Sequence, residues 1–154
     1  MDAIAAQAGV SRPALYRRYA SVGQTALAAL QARGPVVLPI PYSTNIEKDL
    51  CSYFNALVAS LADNSAMGRA LRGTLAASLV DIDLKPHFAQ FITARRKPVL
   101  DRLLAWNGSY GDAEHESIAD ALFGPILYRL LIRHVPVRTR HIQGIVHRAL
   151  GSPA

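Results

Sequence analysis

Ser11, Arg12, Pro13, Tyr16 and Arg17 bring two guanidinium groups, a phenol and a hydroxyl into one short stretch of the chain. At helical spacing these side chains share one arc. Ser11 is a helix-starting residue type, and Pro13 fits a first turn, where a missing N–H costs nothing. A helix N-terminus that carries two arginines and a tyrosine suits phosphate oxygens and guanine edges in the major groove of double-stranded DNA. Leu15 and Tyr19, four apart, form the inward stripe of the same helix. Arg18 falls nearer that inner side and reads as a structural or backbone-phosphate residue.

Other chemistry is poorly supplied. His87, His115, His134, His141 and His147 have no metal-ligand spacing; His141 and His147 are six apart, which does not stack them on a helix face. No metal and no cofactor is therefore expected. His115, between Glu114 and Glu116, reads as part of a solvated first helical turn. Cys51 lies beside an apolar stripe and reads as a small hydrophobe. Asp81-Ile82-Asp83 reads as a helix end, and Asn107-Gly108-Ser109 is a glycosylation sequon without a secretory context. There is no glycine-rich phosphate loop and no Gly-x-Ser-x-Gly elbow, so no enzymatic activity is expected.

The elements that must position the basic arc are helices, and the fold class is all-α. Of 154 residues, 51% are hydrophobic and 18% charged, enough for a packed core. The longest apolar helical stretch, Leu50 to Ala62, is too short to cross a bilayer, so no membrane partner is expected. The N-terminus lacks the charged and apolar regions of a secretory signal, and the cytoplasm is the expected compartment. Of the net charge of +6, half falls in residues 1–34, where four arginines face Asp2 alone. That bias favours a polyanionic partner.

A first helix is expected from about Asp2 to Ala8, ending at Gly9, with Val10 plugging the turn. Ala5 is small enough for a second helix to cross closely. Ser21 can cap a further helix, to about Ala32. Gly34 to Pro41 holds three prolines, which favour a stiff extended connector. The expected division is residues 1–34 as a partial helix-turn-helix module, 35–44 as connector, and 45–154 as a five-helix domain. In that domain Thr44 and Glu47 have capping-box spacing. Ile46, Leu50, Tyr53, Phe54, Leu57, Val58 and Leu61 follow at helical period. Another helix carries Met67, Leu71, Leu75 and Leu79. Asp83 should cap a long one to Trp106, with Pro98 kinking it. Asp112 opens a helix to about His134, and a last one covers about Arg138 to Leu150.

Residues 4–19 carry a specific resemblance. Ile4, Ala5, Ala8, Gly9, Val10, Ser11, Leu15, Tyr16 and Tyr19 match in register the helix-turn-helix signature of the TetR family of bacterial transcriptional repressors. Ala14 stands where that family usually has threonine. The run from Phe123 to Leu131 looks like the penultimate helix of one subgroup's regulatory domain, and the helix order is similar throughout. Two features depart from the pattern. Met1 falls at the start of the family's second helix. The helix after the motif opens Ser21-Val22-Gly23-Gln24-Thr25 in place of the usual Ser-Lys-Glu and leucine, which loses a phosphate-binding lysine.

The resemblance implies a ligand-responsive repressor that binds a DNA operator as a homodimer. The alternative is a truncated or decayed member that keeps effector binding and dimerisation without specific DNA recognition. The expected DNA contacts are Ser11, Arg12, Pro13, Tyr16 and Arg17. Phe54, Phe88, Phe91 and Trp106 are candidates to line a cavity for a small, mostly apolar effector. The helix around Leu127 is apolar on nearly all sides and needs covering on nearly all sides. Phe123, Gly124, Leu127 and Leu131, with Ile142, Ile145 and Val146 of the last helix, are therefore the expected homodimer contacts.

Overall fold

In a computed structural model, the structure describes residues 2, 5–6, 9–32, 38–61, 65–107 and 110–151. Among them every regular element is helical. The helices are α1 (Arg12–Arg18), α2 (Val22–Ala32), α3 (Ile46–Ser60), α4 (Ala66–Ser78), α5 (Leu84–Trp106), α6 (Asp112–Leu127) and α7 (Thr139–Gly151). A π-helical turn, Tyr128–Ile132, continues α6. Asp2, Ala5 and Ala6 have helical backbone. The rest of the expected first helix, residues 33–34, residues 35–37 of the expected connector, and most of the sequon lie outside the described residues.

Local chemistry explains the helix starts. Ser11 has extended backbone and its hydroxyl accepts from the Ala14 N–H at 3.3 Å, so α1 begins as its cap predicts. Ser21 does the same for α2, accepting from the Gln24 N–H at 3.2 Å. Helix α3 starts one residue later than the capping-box spacing suggests. Its cap is Asn45, whose side chain accepts from the Lys48 N–H at 2.9 Å. Asn and Thr are competing caps at adjacent positions, and here tertiary contacts at Ser43 set the entry. Asp83, expected to cap α5, has helical backbone and makes no capping bond. The carboxylate of Asp81 accepts from the Asp83 and Leu84 N–H groups instead, at 3.1 and 3.0 Å. Helix α5 continues through Pro98 as one element.

The helices pack around two apolar clusters. The larger joins α3, the second half of α5, α6 and α7, with Leu50, Phe54, Leu103, Leu122, Ile126 and Ile142 fully buried. Phe54 meets Phe123 edge-on at a centroid distance of 5.0 Å. The smaller cluster joins α2, α4 and the first half of α5 through Leu27, Leu30, Leu61, Leu71, Leu84 and Phe91. Leu57 and Leu130 touch both.

A buried polar network ties the chain entering α3 to the body. Asp49 is 1% exposed and lies against Arg102, 4% exposed. Arg102 Nε donates to Asp49 Oδ2 at 2.9 Å, and its Nη2 donates to the Ser43 carbonyl at 2.9 Å. The Ser43 hydroxyl and N–H both donate to the same carboxylate, at 2.6 and 2.9 Å. Burial alone would raise the Asp49 carboxyl, but bonds from Ser43 and Arg102 outweigh it and hold it below its ordinary range. His115 also departs from expectation. It is 4% exposed rather than solvated, its Nε2 donating to the Asn107 carbonyl at 3.0 Å. Asp112 opens α6 as expected, with Gly111 at its cap, and His115 lies one turn in, against the Tyr110 ring.

Candidate functional site

The turn before α1 is built on Gly9, whose φ of +64° is a left-handed conformation that side chains disfavour. Its N–H donates to the Ala6 carbonyl, and that of Val10 to the Ala5 carbonyl at 3.1 Å, with Ala5 buried. Val10 does not plug the turn as expected; it is 45% exposed. Backbone hydrogen bonds close this turn.

Helix α1 then presents two faces. Leu15 is buried and Tyr19 half-buried, while Ser11, Arg12, Pro13, Tyr16 and Arg17 are all exposed. The five residues are thus together on one outward arc. Arg18 is exposed too, its guanidinium 5.9 Å from the Tyr19 ring centroid, so it joins the outward side. Arg12 is not a free cation: its guanidinium is ion-paired with the Asp2 carboxylate. Sequence reasoning missed that pair, although the two sit ten residues apart across the turn.

Helix α2 carries this module against the body. Gly23 lies so close to α4 and α5 that a Cβ there would stand 2.5 Å from Leu84 Cδ2 and 3.0 Å from Ala77 Cβ. The glycine that departs from the usual first-turn pattern is a point of helix contact. Beside it, the Ser21 hydroxyl donates to Asp81 Oδ2 at 3.3 Å.

At the seam between the two apolar clusters lies a cavity of about 880 Å³. Leu71 and Leu75 of α4 and Phe88, Phe91 and Ile92 of α5 form one wall; Tyr53 and Leu57 of α3 form another. Phe123, Gly124 and Leu127 of α6, with Tyr128, Leu131 and Ile132 of the π-helical turn, form the third. Such a volume and lining suit a small, mostly apolar molecule. Of the four expected lining residues, Phe88 and Phe91 are in the wall, stacked at 6.0 Å. Phe54 is inside the larger cluster, fully buried. Trp106, at the far end of α5, packs edge-on against Tyr110. Sequence reasoning missed Arg95 and Arg96, the charged side chains that α5 turns to the cavity, with Asp120 of α6.

The expected homodimer contacts separate into two groups. Ile142 and Val146 are fully buried and Ile145 is 6% exposed, all within the chain's own larger cluster against α3 and α6. That stripe is used by α3 and α6 of the same chain, so it is not free to face a partner. Phe123, Leu127 and Leu131 turn to the cavity. Gly124 is exposed with open space beyond it. The exposed apolar ridge of α6 is instead Ala121, Pro125, Tyr128 and Ile132, beside Gly124.

Among the described residues no cluster of His, Cys, Asp and Glu is placed to hold a metal ion, and no helix is long and apolar enough to cross a membrane. No curated protein matches the chain. The crystal structure of the TetR family transcription regulator SCO0332 is similar over 99% of this chain and 86% of that one, with a TM-score of 0.78 and 25% sequence identity. The family model for the tetracyclin repressor-like C-terminal domain matches residues 40–149. An all-helical body of this form, behind a capped helix with a basic outer arc, belongs to the TetR family of transcription regulators.

Proposed function

We propose that this chain is a ligand-responsive repressor that binds double-stranded DNA as a homodimer in the cytoplasm. One observation carries the reading: the helices that wall the cavity also seat the DNA-facing module. Leu75 and Phe88 line the cavity, while Ala77 and Leu84 of the same two helices meet Gly23. A ligand that moves α4 against α5 moves the seat of α2, and with it α1. Bound and free forms then differ in the spacing of two recognition helices across a dimer, which must match successive major grooves.

In this reading residues 1–34 are the DNA-binding part, 35–44 the connector and 45–154 the effector-binding and dimerisation part. Arg17 and Tyr16 contact the groove, Arg12 contacts it after release from Asp2, and Ser11 and Pro13 hold the helix start against the phosphates. Gel-shift titration of double-stranded DNA at two salt concentrations tests this. Binding is expected to be salt-sensitive, since arginine–phosphate contacts release counterions. Arg17→Ala should weaken it. A loss confined to one base position, of about 1–3 kcal/mol, marks a base reader. No binding at low salt, or binding indifferent to Arg17, removes the repressor reading.

The Arg12–Asp2 pair supports a second reading, in which the chain keeps effector binding and dimerisation without specific DNA recognition. An arginine committed within the chain is a weaker phosphate ligand. Effector binding without any DNA affinity is the outcome that selects this reading.

A further inference from the structure

The cavity wall is apolar except for a few groups, and almost all of those are already committed. The Tyr53 hydroxyl donates to the Arg95 carbonyl at 3.2 Å, and the Ser60 hydroxyl to the Leu57 carbonyl at 2.7 Å. Arg96 Nη2 is held by Glu116 at 2.7 Å and by Asp120 at 2.9 Å. Arg95 differs. Its guanidinium lies over the Phe91 ring, Cζ at 3.5 Å from the centroid, and no carboxylate holds it among the described residues; its Nη2, like Arg96 Nε, is buried with no hydrogen-bond partner among them. A buried donor without an acceptor is costly, and more so on a charged group. Burial also pushes this guanidinium below its ordinary range, with the Tyr53 hydroxyl opposing the shift.

We infer that the effector is an amphipathic monoanion: an apolar body filling the cavity over Phe88 and Phe91, and one carboxylate accepting from Arg95. This deepens the effector reading above and rests on it. The apolar walls reward burial of the body. The unmatched Arg95 Nη2, on a guanidinium that no carboxylate holds, fixes the orientation, with the head at the α5 end of the wall and the tail towards Leu71 and Leu75. A neutral head leaves Arg95 unpaired. A cationic head meets its charge directly. Phe91, held under the guanidinium, keeps the fork from swinging out to solvent, which an isolated surface arginine would do.

Isothermal titration of the full chain with head-group triplets on two frames tests the inference. The triplets are decanoate, decan-1-ol and decylamine, and 2-naphthoate, 2-naphthol and 2-naphthylmethylamine; the frames distinguish an acyl from an aromatic body. On the better frame the acid should bind at least about tenfold more tightly than the alcohol, as expected for a charge-assisted hydrogen bond. The amine should bind most weakly. Arg95→Met should bring acid and alcohol to equal affinity while alcohol binding persists, and Arg95→Lys should restore part of the preference. The retained alcohol binding shows that the variant is folded. Equal binding of acid and alcohol by the unaltered chain overturns the inference and leaves the cavity reading standing, as does an acid preference that survives Arg95→Met. No binding by any of the six probes overturns both.

Discussion

Asp49 occupies a helix position three residues after Ile46 and four before Tyr53, in the middle of an apolar stripe. An acid there is buried whatever its partner, and burial without a partner is prohibitive. Arg102 is that partner, with Ser43 filling the remaining acceptor sites of the carboxylate. Removing the acid leaves Arg102 buried and unpaired, so Asp49→Ala should destabilise the fold by about 3–5 kcal/mol in chemical denaturation. The pH response has a definite sign. The folded carboxyl titrates below its ordinary value of 3.8, so its contribution is complete above that pH and is lost as pH falls through the lower folded value. Thermal melts between about pH 5 and pH 2.5 should show a steep acid limb in the unaltered chain and a shallower one in Asp49→Asn. The position of Asp49 was legible in the sequence; its partner, far along the chain, was not. Arg95 was less legible still. One turn of α5 carries two adjacent arginines, and only the placement of Glu116 and Asp120 decides which is held by carboxylates. At the basic arc, Asp2 holds Arg12. Asp2→Asn should therefore strengthen DNA binding several-fold at low salt, since it frees one phosphate ligand and removes a repelling charge. Unchanged gel-shift affinity would mean that the pair opens at no cost.

The elements themselves were legible because each helix announces its own period and most announce a cap. Serines at 11, 21 and 65 start helices as their types dictate. The misplaced starts share one cause. Where two capping residues lie within a step or two of each other, as with Thr44 and Asn45 or Asp81 and Asp83, local preference is nearly balanced. Tertiary contacts then choose. Gly23 is a case where local and tertiary demands conflict. Glycine is a poorer helix former than alanine, so Gly23→Ala should modestly favour an isolated α2. In the folded chain the added Cβ meets Leu84 and Ala77. Overpacking of this kind costs about 1–3 kcal/mol, and the net effect should be destabilising in denaturant titration. Gly23→Val should cost more and also change the DNA affinity, because it pries α2 from the helices that wall the cavity. Gly73 of α4, with open space beyond it, is the control: Gly73→Ala should stabilise.

For the whole molecule, the sequence could indicate that α6 is apolar all round but not which side its own chain would cover. That choice depends on how α3 and α7 are laid against it. They take Leu122 and Ile126, and the cavity takes Phe123 and Leu127. Still exposed is the ridge Ala121, Pro125, Tyr128 and Ile132, with Tyr128 55% and Ile132 62% exposed although both also border the cavity. A second copy packing here across a two-fold axis, with Gly124 at the crossing, gives an isologous four-helix contact with α7. Ala121→Glu with Tyr128→Arg should lower the mass seen by light scattering to that of a monomer while circular dichroism keeps its helical signal. Ile145→Arg should instead unfold the chain, since that residue is core. A monomer for the unaltered chain at micromolar concentration would rule the arrangement out.

The π-helical turn at Tyr128–Ile132 has a further consequence. Such a turn is an α-helix with one residue too many, held in a bulge rather than passed along the chain. Here the bulge lies in the cavity wall, and just beyond it His134, with φ of 51°, already breaks the helix. The wall therefore contains one residue of slack. Deleting a residue from an ordinary helix rotates everything after it by about 100° relative to what comes before. Deleting one here would let the bulge close into regular α-helix and pass the shift into the irregular segment before α7. The cavity would gain a differently phased wall while Leu122 and Ile126 kept their places. The selectivity of this cavity can thus be reset by a change in chain length, at one short turn, where most helical walls can be altered only by changing side chains.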